Sequence, residues 1–163
     1  MRAITCDPNA YVSNNNCMPC PAGTTNAAGD DASGADTSCD ATLCAANEYV
    51  SGNVCTACAP GTTNVNGDDA SGADTSCDVT LCAANEYVSG NVCTACAPGT
   101  TNVNGDDASG NDTDCDATLC AANEYVSGNV CTACAPGTTN VNGDDASGAD
   151  TTCVPLLVIR THT

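Results

Sequence analysis

Sixteen cysteines on a fixed 38-residue period constrain this chain more than any other feature of its 163 residues. Cys6, Cys17, Cys20 and Cys39 recur as Cys44, Cys55, Cys58 and Cys77, then as Cys82, Cys93, Cys96 and Cys115, and finally as Cys120, Cys131, Cys134 and Cys153. Each unit reads C-x10-C-x2-C-x18-C, and a four-residue spacer leads to the next. A constant period without insertions is the signature of a tandem array whose modules stack on their neighbours. The spacing divides the chain into repeat 1 with its N-terminal flank (1–43), repeat 2 (44–81), repeat 3 (82–119), repeat 4 (120–153) and an apolar tail (154–163). Repeats 2 and 3 differ at three positions only: Ala73 against Asn111, Ser76 against Asp114, and Val79 against Ala117. Divergence is otherwise concentrated at the ends, in repeat 1 and after Cys153, as expected of terminal capping units.

Large side chains are too few to build an ordinary core. There is no Phe and no Trp, there are four Tyr, and Ala and Cys supply most of the 42% that counts as hydrophobic. Burial yields about 25 cal/mol per Å² of apolar area, so cross-links must replace area here. Cysteine at this density marks a disulfide scaffold of an oxidising compartment, and the expected location is extracellular or at a cell surface. A net charge of −18 excludes nucleic acid and anionic membrane surfaces as partners but leaves cations and basic partners open. No apolar run approaches the ~18 residues of a membrane span. Met1-Arg2-Ala3-Ile4-Thr5 lacks the apolar stretch of a signal peptide, and the C-terminus lacks a hydrophobic anchor tail. The expectation is a mature protein or a segment of a longer one.

Local signals point to hairpins and loops, with no helical periodicity. Tyr49-Val50-Ser51-Gly52-Asn53-Val54-Cys55 reads as two short strands about a tight turn, because Gly and Asn tolerate the positive φ that hairpin turns need. Asn14 and Asn15 suit the same turn in repeat 1. Ala59-Pro60-Gly61-Thr62 has the order of a type II turn, and repeat 1 keeps Gly23 but moves its proline to Pro21. The stretch from Asn66 to Asp74 reads as loop. The expected fold is a small disulfide-rich tandem repeat array of short β-hairpins and irregular loops, drawn out into a rod with almost no helix. Tyr and Val are expected to pack the small core between the disulfides.

Four cysteines per unit allow three pairings. First-to-second with third-to-fourth is favoured, because one bond would staple the Tyr-Val hairpin and the other would close the long acidic loop. A zinc knuckle built on Cys17-x2-Cys20 with Cys39-x4-Cys44 is a weaker reading. It would straddle unit boundaries, orphan Cys6, and leave Cys131, Cys134 and Cys153 one ligand short. A thioredoxin-type redox pair lacks its βαβ setting.

Cys17-Met18-Pro19-Cys20-Pro21-Ala22-Gly23-Thr24-Thr25 and Cys55-Thr56-Ala57-Cys58-Ala59-Pro60-Gly61-Thr62-Thr63 resemble the cysteine-rich repeats of protist surface proteins, most closely the ciliate immobilisation-antigen type. The pattern is also similar to receptor-type cysteine-rich modules such as the tumour necrosis factor receptor and ephrin-receptor-like repeats. The resemblance covers residues 6–153. It implies an elongated, extracellular, β-poor array on a cell surface or within an extracellular structure. Those surface antigens end in a lipid-anchor signal, from which this sequence departs, and the departure moves weight toward a secreted or polymerised form.

Aspartates crowd each loop: Asp30, Asp31, Asp36 and Asp40; Asp68, Asp69, Asp74 and Asp78; Asp106, Asp107, Asp112, Asp114 and Asp116; Asp144, Asp145 and Asp150. Clustered carboxylates with turn carbonyls are what calcium needs, so Asp68, Asp69, Asp74 and their equivalents are a candidate calcium site. The spacing does not match an EF-hand, and a solvated loop that keeps the array soluble is the simpler reading. Asn111-Asp112-Thr113 is the one N-x-S/T sequon and predicts a glycan at Asn111; the many Ser and Thr are candidate O-glycan sites. His162 stands alone, and no acid, base or nucleophile constellation suggests an enzyme. Glu48, Glu86 and Glu124 recur once per later unit beside a tyrosine, which speaks for structure.

The tail Val154-Pro155-Leu156-Leu157-Val158-Ile159 is the one strongly apolar stretch. It can fold back as a cap, or Val154, Leu156, Leu157, Val158 and Ile159 can pair with an exposed strand edge of a next subunit. The sequence is best read as a secreted structural protein that self-associates head to tail into an extracellular fibre or coat. The alternative is a monomeric surface antigen or receptor-like binding array.

Overall fold

A computed structural model describes residues 4–156. Among them there is no helix, and therefore none to cross a membrane; sixteen short strands form eight two-stranded antiparallel sheets. Every cysteine is in a disulfide. The bonds join Cys6 to Cys17 and Cys20 to Cys39 in repeat 1, Cys44 to Cys55 and Cys58 to Cys77 in repeat 2, Cys82 to Cys93 and Cys96 to Cys115 in repeat 3, and Cys120 to Cys131 and Cys134 to Cys153 in repeat 4. The fold is a disulfide-rich tandem repeat array. Its residues cluster into two compact units, Met1–Thr80 with repeats 1 and 2 and Leu81–Thr163 with repeats 3 and 4.

Repeat 2 shows how the local sequence makes the module. Glu48–Ser51 pairs with Val54–Ala57, and the register sets Val50 opposite Cys55. The turn between them holds Gly52 at φ 58° and Asn53 at φ 63°, a geometry that matches the right-handed twist of the strands. In repeat 1, Asn14 and Asn15 take the same turn at 51° and 58°. The chain then passes the second turn, where Gly61 lies at φ 77° and the Thr62 amide donates to the Ala59 carbonyl over 3.1 Å. Thr62–Thr63 leaves that turn and pairs with Asp78–Val79 of the following spacer.

An isolated two-stranded hairpin is marginal in water, and its open edge is a template for unwanted pairing. The acidic loop closes that edge. The Thr75 amide donates to the Val50 carbonyl over 3.0 Å, and the Val50 amide donates to Thr75 Oγ1 over 2.9 Å. Thr75 thus acts as a one-residue third strand, using its own hydroxyl where a strand would use a carbonyl. One residue earlier, Asp74 Oδ1 accepts from the Gly52 amide over 2.9 Å and caps the hairpin turn.

The core of a repeat is very small. In repeat 2 it consists of Cys44, Val50 and Ala70, with Cys55 packed against them; Cys82, Val88 and Ala108, and Cys120, Val126 and Ala146, repeat the arrangement. Val12, Val50, Val88 and Val126 are fully enclosed. Tyrosine, expected in this core, is only half-buried. Its place is taken by an alanine of the acidic loop. The physical reason is strand alternation: Tyr49 and Val50 are consecutive in Glu48–Ser51, so with Val50 facing the core Tyr49 turns to the opposite face. Val54, Val92 and Val130, at the far side of the hairpin turn, face solvent.

Candidate functional site

Within each compact unit, the four-residue spacer between its repeats meets both of them. Asp40 and Ala41 pair backward with Thr25 and Thr24 of repeat 1. The Thr42 amide also points backward, donating to the Gly23 carbonyl over 2.9 Å. From there the spacer faces forward: the Thr42 carbonyl accepts from the Ala70 amide of repeat 2 over 2.9 Å, and Leu43 bridges to Asp69. The structural boundary therefore runs through Thr42, its N–H belonging to one repeat and its C=O to the next.

Gly23 completes this joint. It lies at φ 75°, and a Cβ there would overlap the Ala70 carbonyl and the Ser71 amide of the incoming turn. Glycine is needed twice over, for the backbone conformation and for the close approach. The second compact unit repeats the arrangement. Asp116 and Ala117 pair with Thr101 and Thr100, the Thr118 amide donates to Gly99, the Ala146 amide donates to Thr118, Leu119 bridges to Asp145, and Gly99 lies against Ala146. The joint is heterologous: a glycine turn plus a spacer goes out, and an Asp-Ala-Ser-Gly turn comes in.

Both halves of the joint recur at the ends of the described chain. After Cys153, Val154–Pro155 pairs with Thr138–Thr139 and the Leu156 amide donates to the Gly137 carbonyl over 2.9 Å. The apolar tail thus begins by standing where a spacer stands. Val154 and Leu156 remain mostly exposed; Leu157, Val158 and Ile159, predicted to join subunits, lie outside the described residues, as does His162. At the other end, the Ala32 amide donates to the Ile4 carbonyl over 2.9 Å and Thr5 bridges to Asp31.

The candidate calcium residues have separate duties. Asp68 Oδ2 accepts from Asn64 Nδ2 over 2.8 Å and from Thr75 Oγ1 over 2.5 Å. Asp69 Oδ1 accepts the amide and the hydroxyl of Ser71, and Asp74 caps the hairpin turn. Among the described residues no three His, Cys, Asp or Glu side chains converge as metal ligands. What the structure brings together instead is a hydrogen-bonded chain from Val50 through Thr75, Asp68 and Asn64 to the Glu48 carbonyl.

Donors at these carboxylates lower their pKa values. Thr37 and then Asn26 hold Asp30 below the ordinary carboxylate value, and Thr113 and then Asn102 do the same to Asp106. The hydroxyls and amides of Ser33, Ser71 and Ser147 lower Asp31, Asp69 and Asp145. Stabilised anions accepting two donors are the common cause.

Asn111 is exposed, open to modification on its loop. The hydroxyl of its sequon partner Thr113 is engaged, accepting from the Val88 amide and donating to Asp106. Glu48, Glu86 and Glu124 accept from the amides of Ala45, Ala83 and Ala121 over 3.0 Å, a structural use.

A shallow groove of about 390 Å³ lies beside Tyr49, between Ala57, Ala59, Thr62, Ser76 and Cys77, and its counterpart at Tyr125 measures about 290 Å³. Sequence reasoning missed the Ala70 and Thr75 positions. The signal was present: residues 29–40, with Ala32 and Thr37 among them, recur unchanged as residues 67–78 although repeat 1 diverges elsewhere.

No family model matches the chain, and no curated protein or solved structure is significantly similar to it. Its own residues establish the class, a cysteine-rich tandem-repeat protein of eight disulfides and small hairpins.

Proposed function

We propose that this chain is a secreted structural protein, a subunit that assembles head to tail into an extracellular fibre or surface coat. The observation that carries the reading is the heterologous joint. Within each compact unit one repeat offers one face and the next meets it with a different one, and a heterologous contact that does not close into a ring propagates into a filament. Near-identity of repeats 2 and 3 suits a spacer, which needs length and regularity rather than one distinctive face. Eight disulfides, with no membrane-crossing helix among the described residues, fit an extracellular setting. A glycan on the exposed Asn111 would belong to that setting, and intact mass before and after deglycosylation measures it.

Negative-stain electron microscopy of unreduced protein at moderate concentration tests the assembly. Filaments with a regular axial repeat are expected; isolated short particles at every concentration would overturn it. A second reading, a receptor-like binding array, is favoured by the paired grooves at Tyr49 and Tyr125, whose volumes reach the lower end of ordinary ligand sites.

A further inference from the structure

We infer that the Gly137 face of repeat 4 receives the Asp31-Ala32-Ser33 turn of a second copy, with the Leu156 carbonyl taking over the Ala32 N–H that Ile4 holds in the free chain. This rests on the head-to-tail reading and gives it a joint.

The template is the contact already made twice inside the chain, at Gly23 with Ala70 and at Gly99 with Ala146. Gly137 has the same left-handed conformation, φ 84° against 75° and 80°. It is exposed, whereas Gly23 and Gly99 are half-buried, and among the described residues nothing lies within 4 Å of where its Cβ would stand. Pro136 precedes it as Pro98 precedes Gly99. The outgoing half of the joint is thus built, with its spacer strand in place, and is not covered by any described residue.

The incoming half is built too. Asp31 accepts from the Ser33 amide and hydroxyl, as Asp69 does from Ser71, and Asn15 Nδ2 donates to the Ala32 carbonyl over 3.1 Å, as Asn53 does to Ala70 over 2.9 Å. The turn that would enter a second copy therefore has the same internal bonds as the turn that enters Gly23.

Two positions must change hands, and the first carries the hydrogen bonds. In the internal joint a single residue, Thr42, donates to Gly23 and accepts from Ala70. At the chain ends those two roles are divided, with Leu156 donating to Gly137 and Ile4 accepting from Ala32. Two residues cannot occupy the place of one. Docking in the internal geometry requires Ile4 to leave and Thr5 to give up its bridge to Asp31, because the internal joint fills those two places with consecutive residues of one chain, Thr42 and Leu43; the Leu156 carbonyl is then where the Thr42 carbonyl would be. The exchange swaps the Ile4 hydrogen bond for one from Leu156, loses the Thr5 bridge and adds the contact of the turn with glycine.

The test uses Gly137→Asn. Asparagine accepts positive φ, as Asn53 and Asn91 do in this chain, so the turn is kept while the new Cβ obstructs the incoming carbonyl. Sedimentation velocity over a concentration series is expected to show association of the unaltered chain and a loss of about tenfold or more in affinity for the variant. The variant retains its own Asp31-Ala32-Ser33 turn, so small amounts added to unaltered protein are expected to cap growing ends and shorten the assemblies. A variant that had merely unfolded would be inert there, and circular dichroism checks it independently. Removing residues 1–4 is expected to tighten association by freeing the Ala32 amide; weaker association would overturn the exchange. If the unaltered chain stays monomeric, the fibre reading fails with the joint. Should it assemble while Gly137→Asn assembles equally well, only this joint is overturned.

Discussion

Thr75 makes bonds that a strand would otherwise have to make, and its equivalents Thr37, Thr113 and Thr151 do the same in the other repeats. Replacing Thr75 by Val keeps the shape but removes the acceptor of the Val50 amide and a donor to Asp68. The expected cost is about 1–3 kcal/mol, that of leaving a partly buried donor unpaired. Hydrogen exchange at the Val50 amide reads it, and Thr75→Ser should restore protection. The carboxylates add a pH dependence. Asp30, Asp31, Asp69, Asp106 and Asp145 have folded-state pKa values below those of the unfolded chain. Their contribution is present above the ordinary carboxylate value and is lost as pH falls through the depressed ones. Denaturant midpoints of unreduced protein are therefore expected to decline only below about pH 4. A midpoint that holds constant down to about pH 2 would deny these bonds a role in stability.

Among the elements, the spacer binds two hairpin modules at Thr42 and Thr118, each giving its N–H to the preceding repeat and its carbonyl to the next. Gly99 makes the close approach possible in the second compact unit. Gly99→Asn is expected to open the joint between repeats 3 and 4 without unfolding either. The Ala146 amide, bonded to the Thr118 carbonyl, should lose exchange protection, while the Val126 and Thr151 amides, bonded within repeat 4, keep theirs. Equal loss at all three amides would show that the repeat cannot stand without its neighbour. The hairpins themselves were legible from Gly52-Asn53 and Asn14-Asn15, residues chosen by local backbone geometry. The acidic loop was legible only as loop. Its Ala70 is buried by Val50 and a disulfide that lie 15 to 26 residues away in sequence, and nothing local marks an alanine for burial.

At the scale of the whole molecule, cross-links take the place of area. Each disulfide closes a loop with a sequence separation of 11 or 19, contributing on the order of 3 kcal/mol by restricting the unfolded chain. The charge of −18 opposes any contact between copies. Association at neutral pH is therefore expected to strengthen as salt rises from about 10 to 150 mM, where the screening length falls from about 30 to 8 Å. Sedimentation at the two salt concentrations checks this, and weakening with salt would mean that the contact is made by opposite charges instead.

The sequence by itself determined the period, the hairpin and Pro-Gly turns, the absence of helix among the described residues, and the reliance on disulfides, because each follows from local backbone preference or from a count of side chains. The cysteine pairing was favoured among three by which loops a bond could close, and the folded chain decided it. It took the folded chain to put Ala70 in the core, to set the aspartates as acceptors in three separate places, and to divide the two backbone groups of Thr42 between repeats. Those assignments depend on which distant backbone groups come within hydrogen-bonding reach, and that is set by chain closure through the disulfides rather than by any residue's own preference.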